Sequence, residues 1–271
     1  MNNKEQKLLA FERILTIMDE LREKCPWDRK QTLETLRPLT IEETYELSDA
    51  ILKNDLKNVK EEIGDLLLHI VFYAKIGEEK GEFDMASVIN DLCEKLIYRH
   101  PHIYSDTKVD NEEDVKKNWE QLKMREGKKS VLGGVPDSLP ALIKAYRIQD
   151  KAAQVKFEWD KIEDVWAKVE EEMAELKHEI DIRKEEEVVP DSRVHMPDKV
   201  EEEFGDLLFA LVNYARFLKV DPETALERTN IKFIRRFKYI EEKAVELNKS
   251  LNDMTLGEMD AIWNEAKAKG L

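Results

Sequence analysis

The chain has 271 residues, of which 42% are hydrophobic and 38% charged, with only 9 glycines, 8 prolines and a formal net charge of −15. That charge excludes a general nucleic-acid binder, whose phosphate-facing surface must be cationic. The longest apolar stretch, Leu66 to Ala74, is broken by His69 and is too short to span a bilayer. Two cysteines, Cys25 and Cys93, lack metal-ligand spacing, and Met1-Asn2-Asn3-Lys4-Glu5 is no apolar leader, so a reducing cytoplasm is the expected setting.

Apolar residues recur at helical period along most of the chain and strand signals are nearly absent, so the expected fold class is all-α. The first helix is predicted over 3–23. The second, over 38–53, carries Glu42-Glu43-Thr44-Tyr45-Glu46, and the third, over 56–80, carries Glu61-Glu62-Ile63-Gly64-Asp65-Leu66-Leu67. A fourth helix over 84–98 leads into Arg99-His100-Pro101-His102, which reads as a helix exit into a turn. A fifth is predicted over 111–125. Gly127 to Pro140, with Gly133-Gly134-Val135-Pro136, interrupts the pattern. Beyond it, helices are predicted over 141–155 and 161–184, the latter carrying Glu171-Glu172-Met173-Ala174-Glu175. A charged loop with Pro190 and Pro197 follows. The last helices are predicted over 198–219, with Glu202-Glu203-Phe204-Gly205-Asp206-Leu207-Leu208, and over 222–248 and 255–269.

The chain therefore repeats itself. EExxE followed by ExxDLL occurs twice, and other pairs keep the same order. Trp27-Asp28 matches Trp159-Asp160, and the run Asp65 to Ala74 matches Asp206 to Ala215. Lys95 to Arg99 matches Lys232 to Arg236, and Trp119 with Lys123 matches Trp263 with Lys267. The offset drifts only between 129 (Glu43 to Glu172) and 144 (Trp119 to Trp263), as loops of unequal length require. This predicts an N-terminal helical domain over 1–126, a Gly/Pro linker over 127–140, and a C-terminal helical domain over 141–271.

Residues i and i+3 share a helix face, so each copy would aim four carboxylates at one point. A lone EExxE in so acidic a chain is ordinarily a solvated face. Two copies beside apolar runs are another matter, because clustered acids near a core need a cation to offset them. Oxygen-only clusters suit hard cations such as Mg²⁺. Arg228, Lys232 and Arg236 step by four into a cationic stripe, flanked by Arg235 and Lys238. Such a stripe is either an ordinary basic face or a clamp for phosphate oxygens. Trp263 is either core or a base-stacking wall, and Lys199 either pairs along its own helix or meets phosphate. His69 is expected as a satisfied core histidine. No GxxxxGK[ST] loop, GxGxxG or nucleophile–histidine pattern is present, which leaves metal-activated water as the most available nucleophile.

Taken together, Cys25-Pro26-Trp27-Asp28, both EExxE/ExxD pairs, Arg99-His100-Pro101-His102, Lys232-Phe233 with Arg235-Arg236-Phe237, and Trp263 with Lys267 resemble the MazG family of nucleoside triphosphate pyrophosphohydrolases in its two-domain form. The resemblance implies an all-α fold whose bundles are completed by homodimerisation. It also implies Mg²⁺-dependent hydrolysis of NTPs and dNTPs to the monophosphate and pyrophosphate, with Mn²⁺ as a substitute. Carried over, the metal ligands are Glu172, Glu175, Glu203 and Asp206, with a second candidate site at Glu43, Glu46, Glu62 and Asp65. Substrate contacts are Lys199, Lys232, Arg236, Trp263 and Lys267, and Glu171 or Glu202 positions or deprotonates the water. Lys232 and Arg236 then neutralise charge on the leaving group. The C-terminal copy is the expected catalytic unit. The N-terminal copy departs modestly, with Asn58 in place of Lys199 and Tyr98 in place of Arg235. A non-hydrolytic nucleotide-sensing helical dimer, and a structural helical protein whose acids merely bind cations, are the alternatives.

Overall fold

The computed structural model describes residues 3–105, 130–185 and 198–271 and seven separate positions between 107 and 122; at 183–185 and 198 it describes the backbone alone. All regular structure among the described residues is helical. Lys123, Pro190, Pro197 and most of the helix expected over 111–125 lie outside the described residues. The chain divides into two compact units, residues 1–122 and 123–271.

The first unit starts with α1 (Lys4–Lys24), opened by a capping box in which Asn3 and Gln6 exchange backbone–side-chain bonds of 2.8 and 2.9 Å. A short 3₁₀ turn, Asp28–Lys30, leads to α2 (Leu33–Leu52). This helix begins five residues before the sequence reading placed it. Thr32 caps it with Thr35 at N3, and Pro38 stands inside, with no N–H to give the Glu34 carbonyl. Three residues then reverse the chain into α3 (Leu56–Glu79). Asn54 takes the left-handed conformation there (φ 54°), and Asp55 caps the new helix through the N–H groups of Lys57 and Asn58. The tight reversal sets the acids of α2 opposite those of α3. Helix α4 (Met85–Arg99) and the four-residue α5 (Pro101–Tyr104) follow, so the Arg-His-Pro-His exit turns straight into another helical turn. The core of this unit is built from large side chains: Met18, Leu36, Val71, Phe72 and Ile76.

The second unit repeats the helical hairpin. It consists of α6 (Ala141–Gln154), α7 (Ile162–Glu185), α8 (Asp198–Phe217), α9 (Pro222–Glu246) and α10 (Leu256–Ala268). Helix α7 packs along α8, α6 packs on α8 and α9, and α10 packs on α9. Its buried apolar residues include Val165, Val169, Val200, Ala210, Val212, Ile240, Ala244 and Met254. Ala210 and Asn213 stand where the first unit has the larger His69 and Phe72, and that difference lies beside the acids.

Candidate active site

On α7, Glu172 and Glu175 are three residues apart and so share a face; Glu203 approaches from α8. One carboxylate oxygen of each lies within 4.8 Å of the others. In the first unit, Glu43 of α2 meets Glu62 and Asp65 of α3 within the same limit. Two of the eight expected ligands fall outside these triads. Asp206 is exposed and lines the adjoining cavity together with Glu172, and Glu46 acts on Glu62 and Glu43 through its charge. The crowding shows in the acidities. Partial burial, then the charges of Glu175, Asp206, Glu172 and Glu202, push the Glu203 carboxyl above the usual range. Glu62 is raised by burial and then by Glu46, Glu43 and Asp65. Glu43 is raised by burial and then by Asp65, although a hydrogen bond with Glu62 works against the shift. Anionic oxygens held this close, without a nitrogen or sulfur donor in the triad, match what a hard divalent cation requires.

The C-terminal triad also has a cation of its own. Lys168, one turn before Glu172 on α7, pairs with Glu172 at 2.8 Å and with Glu171 at 2.9 Å. Glu172 is buried, so this ammonium partly offsets a charge removed from water, and the lysine pKa is raised, by Glu172 first and Glu171 second. The sequence reading missed Lys168; its signal was the i, i+3, i+4 spacing to the acids. Glu171 is thus engaged with a lysine, whereas Glu202 is exposed on α8. Lys199 reaches Glu179 on the neighbouring helix at 3.9 Å.

The expected substrate contacts form a second group, on α9 and α10. The Arg236 guanidinium lies over the Trp263 ring at 5.4 Å and donates through Nε to the Leu271 carbonyl at 2.7 Å. Phe233 packs against Trp263 at 5.1 Å. Lys232, one turn before Arg236, and Lys267, one turn beyond Trp263, are exposed. The repeat holds in geometry as well as in sequence, for Arg99 lies over Trp119 at 5.3 Å in the first unit. Arg236 and Trp263 therefore meet each other, and the arginine is anchored by packing as well as charged.

A cavity of about 370 Å³ adjoins the C-terminal acids. Trp159, Phe157 and Phe209 supply aromatic wall, and Lys168, Glu172 and Asp206 belong to its lining. Gln149 of α6 and Asn213 of α8, both buried, are polar groups in the same lining. Neither was a sequence candidate, since no local motif marks a residue that acts across 60 positions, as Gln149 does in donating to the Phe209 carbonyl. In the first unit His69 and Phe72 stand at the positions matched to Ala210 and Asn213, and both are buried. His69 is a core residue as expected, but its Nδ1 has no hydrogen-bond partner among the described residues, so there it is not a satisfied one; burial lowers its pKa.

Residues 31–104 and 161–240 each match the model of the MazG nucleotide pyrophosphohydrolase domain. A *Thermotoga maritima* protein named nucleoside triphosphate pyrophosphohydrolase/pyrophosphatase MazG is 44% identical over 96% of this chain and 96% of its own. An *Escherichia coli* K12 protein named nucleoside triphosphate pyrophosphohydrolase is 40% identical over 95% of this chain and 97% of its own. The *Bacillus subtilis* protein YabN is 47% identical over 97% of this chain, which spans 53% of YabN's length. With two domain matches set on the two acidic hairpins, and full-length relatives at this identity, the chain belongs to the MazG family.

Proposed function

We propose that the protein hydrolyses nucleoside triphosphates, ribo- and deoxyribo-, to the monophosphate and pyrophosphate, and that the C-terminal unit is the main catalytic one. The observation that carries this reading is the Glu172–Glu175–Glu203 triad set beside an aromatic-walled cavity. The names of the *T. maritima* and *E. coli* relatives point the same way. Glu172, Glu175 and Glu203, with Asp206 at the cavity side, would hold Mg²⁺, or Mn²⁺ in its place. Bound there, the cation would supply a Lewis acid for the phosphate oxygens and for the attacking water.

The chain's own residues do the rest. Glu202, exposed and next to Glu203, orients the water and takes its proton as it attacks the α-phosphorus in line. Glu171 takes that role only when Lys168 releases it. The α–β anhydride bond breaks and pyrophosphate departs. Lys232 and Arg236 neutralise the charge that grows on the leaving group, where most catalysis of phosphoryl transfer lies. Trp263 holds the Arg236 guanidinium in place. Lys267 and Lys199 add positive charge for the phosphates. The first unit's acids, Glu43, Glu46, Glu62 and Asp65, form a second cation site. The proposal includes a homodimer, supported by the exposure of Phe204, Leu208 and Leu211 along α8. It also includes a cytoplasmic setting, supported by two unpaired cysteines. No described helix is long and apolar enough to cross a membrane. Phosphorus NMR of the products formed from ATP and Mg²⁺ tests the reaction. Pyrophosphate and AMP are expected; binding without cleavage would favour a nucleotide sensor, and release of orthophosphate would break the assignment of the scissile bond.

A further inference from the structure

We infer that the cavity beside the C-terminal triad receives the nucleobase, and that Gln149 and Asn213 read its edge as acceptor and donor. The inference rests on the hydrolase reading above and assigns the part of the site that reading leaves open. Gln149 is 7% exposed, and its Nε2 donates to the Phe209 carbonyl at 2.7 Å. That bond fixes the amide, because the flipped form would set oxygen against oxygen. The other end, Oε1, is buried and has no hydrogen-bond partner among the described residues. A buried acceptor left unmet is rare and costly, and a ligand that supplies the missing donor removes the cost. Asn213, also 7% exposed, is fixed in the opposite sense. Its Oδ1 accepts from Arg216, which also lines the cavity, through Nε at 3.3 Å and a terminal nitrogen at 3.1 Å, which leaves Nδ2 as the group that can donate.

One acceptor beside one donor pairs with the Watson–Crick edge of each base, in one order for adenine and cytosine and, with the base turned over, in the reverse order for guanine and uracil. Adenine offers its amino group beside N1, cytosine its amino group beside N3, guanine N1–H beside O6, and uracil N3–H beside O4. Trp159, Phe157 and Phe209 supply aromatic surface of the kind on which bases stack. Acceptance of purines and pyrimidines alike follows. The first unit lacks this half of the site. His69 and Phe72 replace Ala210 and Asn213, and Phe72 is part of the unit's core, so side chains occupy the matched space and the donor is gone.

The test uses the full-length protein with Mg²⁺ and three probes: ATP, UTP, and inorganic triphosphate as a base-free competitor. Gln149→Leu removes the acceptor at similar volume, and Ala210→His installs the first unit's residue. Both variants are expected to raise KM for ATP and UTP by about tenfold or more, with kcat changed by less than about threefold and the inhibition constant of triphosphate unchanged. Ala210→His carries the test if Gln149→Leu does not fold. Unchanged KM in both variants overturns the proposal, as does a KM that rises in step with the triphosphate constant. If the wild-type protein binds ATP without cleaving it, only the hydrolase reading falls, and the same comparison made with dissociation constants decides the base site.

Discussion

Glu172 is buried among acids, and Lys168 supplies a counter-charge at 2.8 Å. Removing one partner of such a pair leaves a charge that neither water nor a cation offsets. Lys168→Met should therefore lower stability in EDTA by about 1–3 kcal/mol, the range for an unsatisfied buried group. Saturating Mg²⁺ should close most of that gap, because the same carboxylate is a proposed metal ligand. Thermal unfolding with and without Mg²⁺ measures it, and a deficit of equal size in both conditions would separate Lys168 from the metal site. The acids themselves should be less forgiving. Glu175→Gln and Asp206→Asn are expected to abolish turnover with helicity intact by circular dichroism, since each loses an anionic oxygen; near-normal kcat at saturating Mg²⁺ in both would remove them from the ligand set. Arg236→Ala and Lys232→Ala should each cost about tenfold or more in kcat/KM, from the loss of a charge-assisted hydrogen bond. Arg228→Ala, on the same stripe, should not. Arg236→Ala should also destabilise the protein, because its guanidinium packs on Trp263 and bonds the Leu271 carbonyl.

At the scale of the element, α10 shows what fixes a functional side chain from a distance. Trp263 and Lys267 sit on it, and its N-terminus is held by Thr255 and Glu258 in a capping box, with Lys249 reaching Glu258 at 2.6 Å. The lysine bond, the Thr255 backbone N–H and the Thr255 hydroxyl together lower the Glu258 pKa to about 2. A depressed folded-state pKa means that the unfolded chain binds the proton first. The stabilisation is therefore fully present above the unfolded value near 4.5 and is lost as pH falls through about 2. Glu258→Gln should melt earlier than wild type at pH 7, and the two curves should converge between pH 4.5 and 2. A gap that persists at pH 2 would assign the loss to packing instead.

The acids were legible in the sequence because their pattern is local. EExxE needs only a helical period to place its carboxylates on one face, and the matched ExxD on the next helix needs only a tight reversal. The start of α2 was not legible at residue 38: Thr32 and Thr35 cap the helix five residues earlier, and Pro38 stands inside it rather than in the first turn, where proline is most common. Asp206 and Glu46 were assigned with their neighbours by spacing and by the resemblance; the acids that come within 4.8 Å are Glu172, Glu175 and Glu203 in one unit and Glu43, Glu62 and Asp65 in the other. The cavity was not legible at all. It requires Ala210 and Asn213 where the first unit has His69 and Phe72, and a glutamine from α6 that meets α8; no single stretch of sequence carries either fact.

At the scale of the molecule, duplication has kept the acids and changed what surrounds them. Both units hold a carboxylate triad, so both should bind a divalent cation, and both leave apolar side chains on the surface, such as Ile63 and Ile70 on α3 and Phe204 and Leu211 on α8. Exposed side chains of this kind on paired helices favour a homodimer, and light scattering should give twice the 31.8 kDa chain mass. An active 31.8 kDa species would contradict that expectation.

The units should differ in chemistry, however. The second has the cavity, Lys168, and the stripe of Arg228, Lys232, Arg235, Arg236 and Lys238; the first has His69 and Phe72 at the positions matched to Ala210 and Asn213, and only Lys95 and Arg99 at the matched stripe. Transition-state charge should therefore be stabilised well in one unit and poorly in the other. In the full-length protein, Glu203→Gln should reduce kcat by about a hundredfold or more, while the matched Glu62→Gln should leave most of it. Both variants should lose part of the Mg²⁺-dependent rise in melting temperature, because both triads take the cation. That shared loss separates a first unit that binds metal without turnover from one that has lost its site. Equal loss of kcat in the two variants, or activity that survives Glu203→Gln and disappears with Glu62→Gln, would reverse the assignment of the catalytic unit.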